Sequence, residues 1–203
     1  MPVRECTVIA VEGAQAAGKT TLVHALTAYY REHGVHAGCT LEPARVSPFI
    51  DDIVLHDAGT FDLTAELDLY AAQLSAQLRA ARNHQLLITD KTVMNVTAYA
   101  RLVLDPGDAS AAAVLGALEA LSAVWAPGAY DAVIYATDHF GQASGGDRYR
   151  SKVLGLQDAV GQHVRQACTA TGVRMLDLPA GLDTPARVRW ADSQLRDLGL
   201  IRG

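Results

Sequence analysis

Residues 13–20, with the sequence GAQAAGKT, match the phosphate-binding loop (P-loop) pattern G-x-x-x-x-G-K-[ST] in full. Gly13 and Gly18 permit backbone angles that direct successive N–H groups towards phosphate oxygens. Lys19 is suited to reach the β- and γ-phosphates of ATP, and the Thr20 hydroxyl is suited to bind magnesium. The alternative interpretation is a chance glycine turn between a strand and a helix. The predicted ATP-binding residues are Gly13, Ala14, Gln15, Ala16, Ala17, Gly18, Lys19, Thr20 and Thr21.

An acid ends a short apolar segment, LLITD, at residues 86–90. If this segment is a buried strand beside the P-loop, Asp90 lies at its carboxyl end and can hold magnesium through a water molecule. An aspartate in this position can instead cap the next helix. We predict a metal site made by Thr20 and Asp90, with ATP and magnesium (Mg) as the cofactors.

A carboxylate also follows the second predicted strand, in the sequence LEPAR. Glu42 could accept a proton from an attacking hydroxyl or hold an acceptor sugar, and it could also be a solvated strand-end acid. An acceptor that already carries phosphate needs cations instead, because two anionic groups repel each other. Arg45, Lys91 and Arg101 could supply these cations, although Arg101 is equally compatible with a solvated helix surface.

One predicted helix carries a ring and two amides on neighbouring positions. Tyr70 lies three residues before Gln73, and Gln77 lies four residues after it, so the three can share a face. A ring and an amide could stack on a base and recognise its edge. The alternative is that Tyr70 lies in the core and the glutamines in solvent. Helical spacing predicts a common face for Leu63, Leu67, Tyr70, Leu74 and Leu78.

A glycine-, serine- and arginine-rich segment at residues 138–152 has no apolar periodicity. It ends in DRYRSK, where Arg148 and Arg150 could close on a transferring phosphoryl group and exclude water. A solvated charged turn is the alternative interpretation. We predict that this segment is a lid.

Short apolar runs alternate with helical stretches along the chain, which is typical of βαβ units around a parallel sheet. We predict one domain over residues 1–203. The predicted strands are residues 6–11, 35–41, 85–89, 130–137 and 173–178. The predicted helices are residues 19–33, 63–82 and 93–104, an alanine-rich helix that ends at Pro127-Gly128, and residues 153–171 and 184–198.

The composition limits the classes of partner. A formal charge of -5 and a pI near 5.7 argue against a protein that coats nucleic acid. The three cysteines have no CxxC spacing, and we expect no apolar segment to be long enough to span a membrane. We therefore expect a cytoplasmic protein with a small-molecule phosphoryl acceptor and no nucleic-acid or membrane partner. A homodimer remains open.

Residues 12–22 resemble the E-G-x-x-x-A-G-K-[ST]-T-L stretch of thymidylate kinases and deoxynucleoside kinases. Glu42-Pro43, the helix segment at residues 69–77 and the Asp90-Lys91-Thr92 sequence are similar to further motifs of these families. The resemblance implies an α/β, three-layer P-loop NTPase fold. Its sheet would have five parallel strands in the order 2-3-1-4-5, with an arginine-bearing lid and ATP as donor.

The same resemblance implies roles for individual residues. Tyr70 would stack on a base and Gln73 would recognise it, while Lys91 would meet the acceptor or the transferred phosphoryl. The implied catalytic set is Lys19, Glu42, Asp90, Lys91, Arg148 and Arg150. The implied acceptor-binding set is Glu42, Arg45, Tyr70, Gln73, Gln77 and Arg101.

The chain also departs from the thymidylate kinase pattern at three positions. Leu41 and Leu74 stand where that pattern has arginines, and Lys91 replaces another arginine. These departures argue against thymidine monophosphate, and a resemblance to nicotinamide riboside kinase-like proteins keeps a different ring possible. We predict an ATP- and magnesium-dependent kinase for a nucleoside monophosphate, nucleoside or similar small molecule. The alternative is a regulatory ATPase coupled to a protein partner.

Overall fold

Five parallel strands form one central sheet with helices on both faces. The computed structural model describes residues 5–13, 16–138, 140 and 157–201. The strands are β1 (Thr7–Gly13), β2 (Ala37–Thr40), β3 (Leu86–Asp90), β4 (Ala132–Ala136) and β5 (Met175–Leu178). Their order is β2-β3-β1-β4-β5, and every neighbouring pair is parallel. The predicted fold class and strand order are therefore confirmed.

The helices largely follow the predicted pattern. They are α1 (Lys19–Glu32), α2 (Pro48–Leu55), α3 (Leu63–Ala81), α4 (Val93–Val103), α5 (Ala109–Ala129), α6 (Gln157–Ala170) and α7 (Thr184–Asp197), with a short 3-10 helix at Pro43–Arg45. Helix α2 was not predicted. It begins with a proline behind the cap Ser47 and buries Ile50, Ile53 and Val54. Eight residues are too few for helical periodicity to stand out in the sequence.

The sheet is buried on both faces because its side chains alternate and helices cover each side. Val8 and Ala10 of β1 belong to one core cluster, whereas Ile9 and Val11 belong to the other. The second cluster includes Leu22 and the buried apolar positions of α1 and α7. Since all strands run the same way, their carboxyl ends meet at one edge of the sheet, where the loops that follow them lie together.

Helix α3 is buried along a partly polar face. Leu67 and Leu78, two members of the predicted common face, are 38% and 41% exposed. The buried side chains include Tyr70 of that face together with Glu66, Gln73 and Gln77. The physical reason is that α3 packs against β3 and donates hydrogen bonds to polar groups where that strand ends.

Helix α5 corrects two predictions. Pro127 lies inside the helix, which ends at Ala129 rather than at the proline. Among the described residues, α5 is also the helix that is long and apolar enough to cross a membrane by length and composition, with a mean hydropathy of 1.5. The expectation that no segment meets that criterion was wrong. A single helix of this kind is weak evidence for a membrane span, and Glu119 on α5 pairs with Arg101 on α4.

Candidate active site

A cavity of about 440 Å³ opens at the carboxyl ends of β1, β2 and β3. Its walls come from the P-loop, from the segment after β2, from the segment after β3, and from helices α2, α3 and α4. The volume is within the range of small-molecule sites. The elements described above therefore bring three sequence-distant motifs, around Lys19, Glu42 and Asp90, to one enclosed space.

The P-loop backbone depends on its glycines. Gly13 has a φ of 133°, and a Cβ added there would lie 1.9 Å from the carbonyl oxygen of Ala136. Gly18 has a φ of 75° immediately before α1. Only glycine fits the first position, and the left-handed conformation favours it at the second. The described P-loop residues Gly13, Ala16, Ala17, Gly18, Lys19, Thr20 and Thr21 all line the cavity. Ala14 and Gln15 lie outside the described residues.

Lys19 lies inside this loop. Its Nζ donates a hydrogen bond to the carbonyl oxygen of Gly13 at 3.1 Å. Burial and, next, the charge of Lys91 lower the pKa of Lys19 to about 8. An anionic phosphate placed in the loop would oppose both causes, since it would stabilise the ammonium form.

Thr20 and Asp90, the two residues of the predicted magnesium site, are in direct contact. The Thr20 hydroxyl donates to Oδ2 of Asp90 at 2.6 Å. Asp90 is 1% exposed, and its other oxygen, Oδ1, has no hydrogen-bond partner in the described part of the chain. A hydroxyl beside a buried carboxylate with an unpaired oxygen is the kind of oxygen donor set that magnesium prefers. These two residues therefore fit a magnesium ion.

Glu42 and Lys91 form a half-buried ion pair at the cavity wall. Nζ of Lys91 lies 2.5 Å from Oε1 of Glu42, and Nε of Arg45 lies 3.9 Å from Oε2. Burial alone would raise the pKa of Glu42, but the Lys91 ammonium holds this pKa below its ordinary value. Burial alone would lower the pKa of Lys91, and the Glu42 carboxylate raises it instead. Both groups are therefore charged at neutral pH.

The backbone at Lys91 is strained and held from both sides. Its φ of 72° is rare for a residue other than glycine. Its N–H donates to the carbonyl oxygen of Val11 at 3.1 Å, and its own carbonyl accepts from the side-chain amides of Gln73 and Gln77 at 3.1 and 3.2 Å. These bonds fix the position from which the Lys91 side chain enters the cavity.

The cavity is not lined by Gln73, Gln77, Tyr70 or Arg101. Both glutamines are buried and bond to the end of β3, so the structure does not support the expectation that Gln73 recognises a base in this cavity. Tyr70 is 3% exposed and its hydroxyl lies 3.0 Å from Oγ of Ser122, which makes it a core residue. Arg101 binds both carboxylate oxygens of Glu119 at the surface. Helical spacing alone does not say which face of α3 is buried, so the sequence could not locate Tyr70 and the two glutamines.

Two buried ionisable residues beside the P-loop were not predicted as site residues. Glu12 is fully buried and accepts bonds from the backbone N–H and hydroxyl of Thr92 and from Asn95, at 2.6, 2.8 and 3.0 Å. Burial raises its pKa, and the bonds from Thr92 oppose this. An acid inside the apolar run of β1 is a sequence signal that could have indicated a buried, hydrogen-bonded carboxyl at Glu12.

The other residue is Arg187 on α7. It is 2% exposed and donates to the carbonyl oxygen of Ala17 in the P-loop at 2.6 Å, while also pairing with Asp138. Its guanidinium lies 4.6 Å from the centroid of the Phe140 ring. No sequence signal distinguishes it from a solvated helix arginine. The predicted lid residues Arg148 and Arg150 lie outside the described residues.

A family model described as an AAA domain matches residues 8–184, which include the P-loop, β1 from its second residue onwards and the other four strands. The chain belongs to the AAA domain family. No curated protein matches this AAA domain chain.

Solved structures that resemble this AAA domain protein include thymidylate kinase from Candida albicans, with a TM-score of 0.69 at 16% identity over 98% of this chain and 96% of that chain. Deoxyadenosine kinase from M. mycoides, with bound dATP, has a TM-score of 0.62 at 16% identity over 94% and 100%. NadR protein in complex with NR has a TM-score of 0.71 at 16% identity over 98% of this chain and 52% of that chain, so the AAA domain chain spans about half of NadR. At these identities the comparisons establish the shared fold, which confirms the predicted resemblance at that level.

Proposed function

We propose that this protein is an ATP- and magnesium-dependent phosphotransferase whose acceptor is a nucleoside monophosphate, a nucleoside or a similar small molecule. The observation that carries the proposal is the set of residues that line the cavity. Lys19 and Thr20 of the P-loop line it together with three further charged residues, which the binding of ATP phosphates by the P-loop does not require: Glu42, Arg45 and Lys91. A second set of charged side chains beside a phosphate cradle suits a second substrate.

The proposed reaction joins an acceptor oxygen to the γ-phosphorus of ATP and breaks the bond between that phosphorus and the β–γ bridging oxygen, leaving ADP. Lys19 offsets the negative charge on the β- and γ-phosphate oxygens. Magnesium held by Thr20 and Asp90 would neutralise part of the same charge. A hydroxyl acceptor loses a proton, and the Glu42 carboxylate is the candidate base that accepts it. For an acceptor that carries a phosphate, Arg45 and Lys91 would offset the repulsion between the two anionic groups.

The names of the structural neighbours support this choice over the alternative. Thymidylate kinase and deoxyadenosine kinase are phosphotransferases whose acceptors are nucleotides or nucleosides. The alternative, a regulatory P-loop ATPase, would use the same Lys19 and Thr20 but would respond to a protein partner. The proposal keeps the single domain, the small-molecule partner and the cytoplasmic location that the sequence led us to expect.

The test is a panel of nucleosides, nucleoside monophosphates and sugars incubated with ATP, magnesium and the protein, with phosphorylated products detected by mass spectrometry. The proposal expects at least one product that is absent with Lys19→Ala. If no compound is phosphorylated, and ATP is hydrolysed at the same rate with and without the panel, the ATPase alternative is favoured.

A further inference from the structure

Glu66 is a buried carboxyl in the cavity wall that the proposed reaction does not use. It lies in the first turn of α3 and is 2% exposed. Its Oε2 atom has no hydrogen-bond partner among the described residues. A buried polar atom without a partner is costly, and such atoms in native proteins call for an explanation. Because Glu66 lines the cavity, a ligand held there can supply the missing bond.

The neighbours of Glu66 define the kind of ligand. The part of the cavity away from the P-loop is lined mainly by apolar and aromatic side chains: Ile50, Val54, Phe61, Leu69, Val96 and Tyr99. Apolar walls favour a flat ring over a polyol, because each sugar hydroxyl buried there would need its own partner. One polar group among such walls can orient a ring by its edge.

The charge of Glu66 differs from that of Glu42. Burial, with a further contribution from Asp62, raises the pKa of Glu66 to about 8, and Lys91 acts in the opposite direction. Glu42 has Lys91 as its direct partner and remains ionised. In the ligand-free protein at neutral pH, Glu66 is therefore a neutral carboxyl that can both donate and accept a hydrogen bond.

We propose that Glu66 is a specificity-determining residue that hydrogen-bonds the polar edge of a nitrogen heterocycle, such as a nucleobase or a pyridine carboxamide, carried by the acceptor. This inference rests on the proposed function, because it assigns the ring end of the same acceptor site. The ring packs between the apolar side chains while its edge reaches Oε2. Glu42, Arg45 and Lys91 are left for the sugar and phosphate end.

The experiment is isothermal titration calorimetry on protein saturated with a non-hydrolysable ATP analogue and magnesium. The ring-bearing probes are adenosine, cytidine, guanosine, uridine, nicotinamide riboside and their 5′-monophosphates. Ribose and ribose 5-phosphate are the matched probes without a ring. The variants are Glu66→Met, which keeps the length of the side chain without its polar atoms, and Glu66→Gln. Glu32→Gln, at an exposed position of α1, is the control.

We expect at least one ring-bearing probe to bind the unaltered protein about tenfold more tightly than its ring-free counterpart. Glu66→Met should remove about tenfold of that affinity, because the ring edge is left without a partner, and should not change the ring-free probes. If Glu66→Met does not fold, Glu66→Gln tests the inference instead. An amide differs from a carboxyl in its hydrogen-bond donors and acceptors, so the ratio of ring-bearing to ring-free affinity must change by about threefold or more.

Equal affinities of ring-bearing and ring-free probes overturn the inference, as do unchanged ratios in a folded variant. A protein that binds none of the ring-bearing probes overturns it as well. The proposed function fails separately, when the P-loop does not bind the ATP analogue or when no compound in the panel of acceptors receives a phosphoryl group. A protein that phosphorylates a ring-free compound would keep the proposed function and lose only the inference about Glu66.

Discussion

Four charged side chains in the cavity have clearly different partners. Lys19 is held by a P-loop carbonyl, Lys91 pairs with Glu42, and Asp90 accepts from Thr20. Because their partners differ, substitutions of these residues should have different effects on the kinetics.

Lys19→Ala should lower kcat by about a thousandfold or more, because it removes the cation that stabilises the transferring phosphoryl group. The measurement is steady-state product formation with the acceptor that the panel identifies, and circular dichroism establishes that the variant is folded. Near-normal turnover by a folded Lys19→Ala protein would contradict the P-loop mechanism.

Glu42→Gln and Arg45→Ala separate the two kinds of acceptor. If the acceptor is a nucleoside, Glu42→Gln should lower kcat by about a hundredfold, because the candidate base is lost. If the acceptor is a monophosphate, Arg45→Ala should raise the KM for the acceptor by about tenfold, because a cation that offsets repulsion is lost.

Arg101→Ala is the matched control for these two variants. Its side chain is exposed and pairs with Glu119 rather than lining the cavity. It should leave kcat and both KM values within about twofold of the unaltered protein, as expected for a surface ion pair. If Glu42→Gln and Arg45→Ala behave like this control, the acceptor does not bind beside the end of β2.

Glu66→Gln should change how stability depends on pH. The pKa of Glu66 is raised from 4.5 to about 8 in the folded protein. Between these values the unfolded chain has lost the proton that the folded chain retains, so this group makes the free energy of unfolding fall as pH rises. The glutamine variant lacks this decline.

The difference in unfolding free energy between Glu66→Gln and the unaltered protein should therefore grow in favour of the variant from pH 4.5 to 8. The upper bound is roughly 4 kcal/mol, and any constant packing cost of the amide does not depend on pH. Urea unfolding at several pH values measures this difference in unfolding free energy, with Glu32→Gln, at an exposed position, as the control. A difference that stays constant over this range would mean that Glu66 is not neutral in the folded protein.

Among the elements, α3 and β1 hold the segment that follows β3 in place. Gln73 and Gln77 donate to the carbonyl of Lys91. Thr92, the residue after Lys91, donates its backbone N–H to Glu12 of β1. A strained backbone such as that of Lys91 persists only when several neighbours fix it. The amides of α3 are therefore positioning groups for the Lys91 side chain.

Gln77→Leu should test this role of α3. The change removes hydrogen bonds to Lys91 and Thr89 and leaves the Tyr130 hydroxyl without its acceptor. We expect a loss of about 1–3 kcal/mol of unfolding free energy. We also expect a fall in kcat with an unchanged KM for ATP, because Lys91 is misplaced while the P-loop is intact. Gln166→Leu, exposed on α6, is the control and should change neither. A normal kcat in Gln77→Leu would show that Lys91 does not need this support.

The sequence allowed the strands and long helices to be predicted because their apolar runs are long and are punctuated by glycine and proline. It did not reveal α2, which is short, or the buried polar face of α3, whose glutamines and Glu66 look like surface residues. Their burial follows from where α3 packs, at the polar end of a strand, and helical periodicity has no information about that.

In the molecule as a whole, the parallel sheet brings the residues of the candidate site together. The strand order, which was predicted correctly, brings the loops after β1, β2 and β3 to one edge, so Lys19, Glu42 and Asp90 could be placed together from the sequence. Arg187 could not be placed beside the P-loop from the sequence, because it contacts the P-loop from α7, at the other end of the chain. Contacts of this kind depend on how helices cover the sheet rather than on any local motif.

The central claim is that one cavity transfers a phosphoryl group from ATP to a small molecule. The most direct measurement uses ATP labelled in the γ-phosphoryl group and follows the label, with and without the acceptor, in product and in inorganic phosphate. We expect one labelled product molecule for each ADP formed, and slow ATP consumption when the acceptor is omitted. Label that appears only as inorganic phosphate, at a rate the acceptor does not change, would contradict the account.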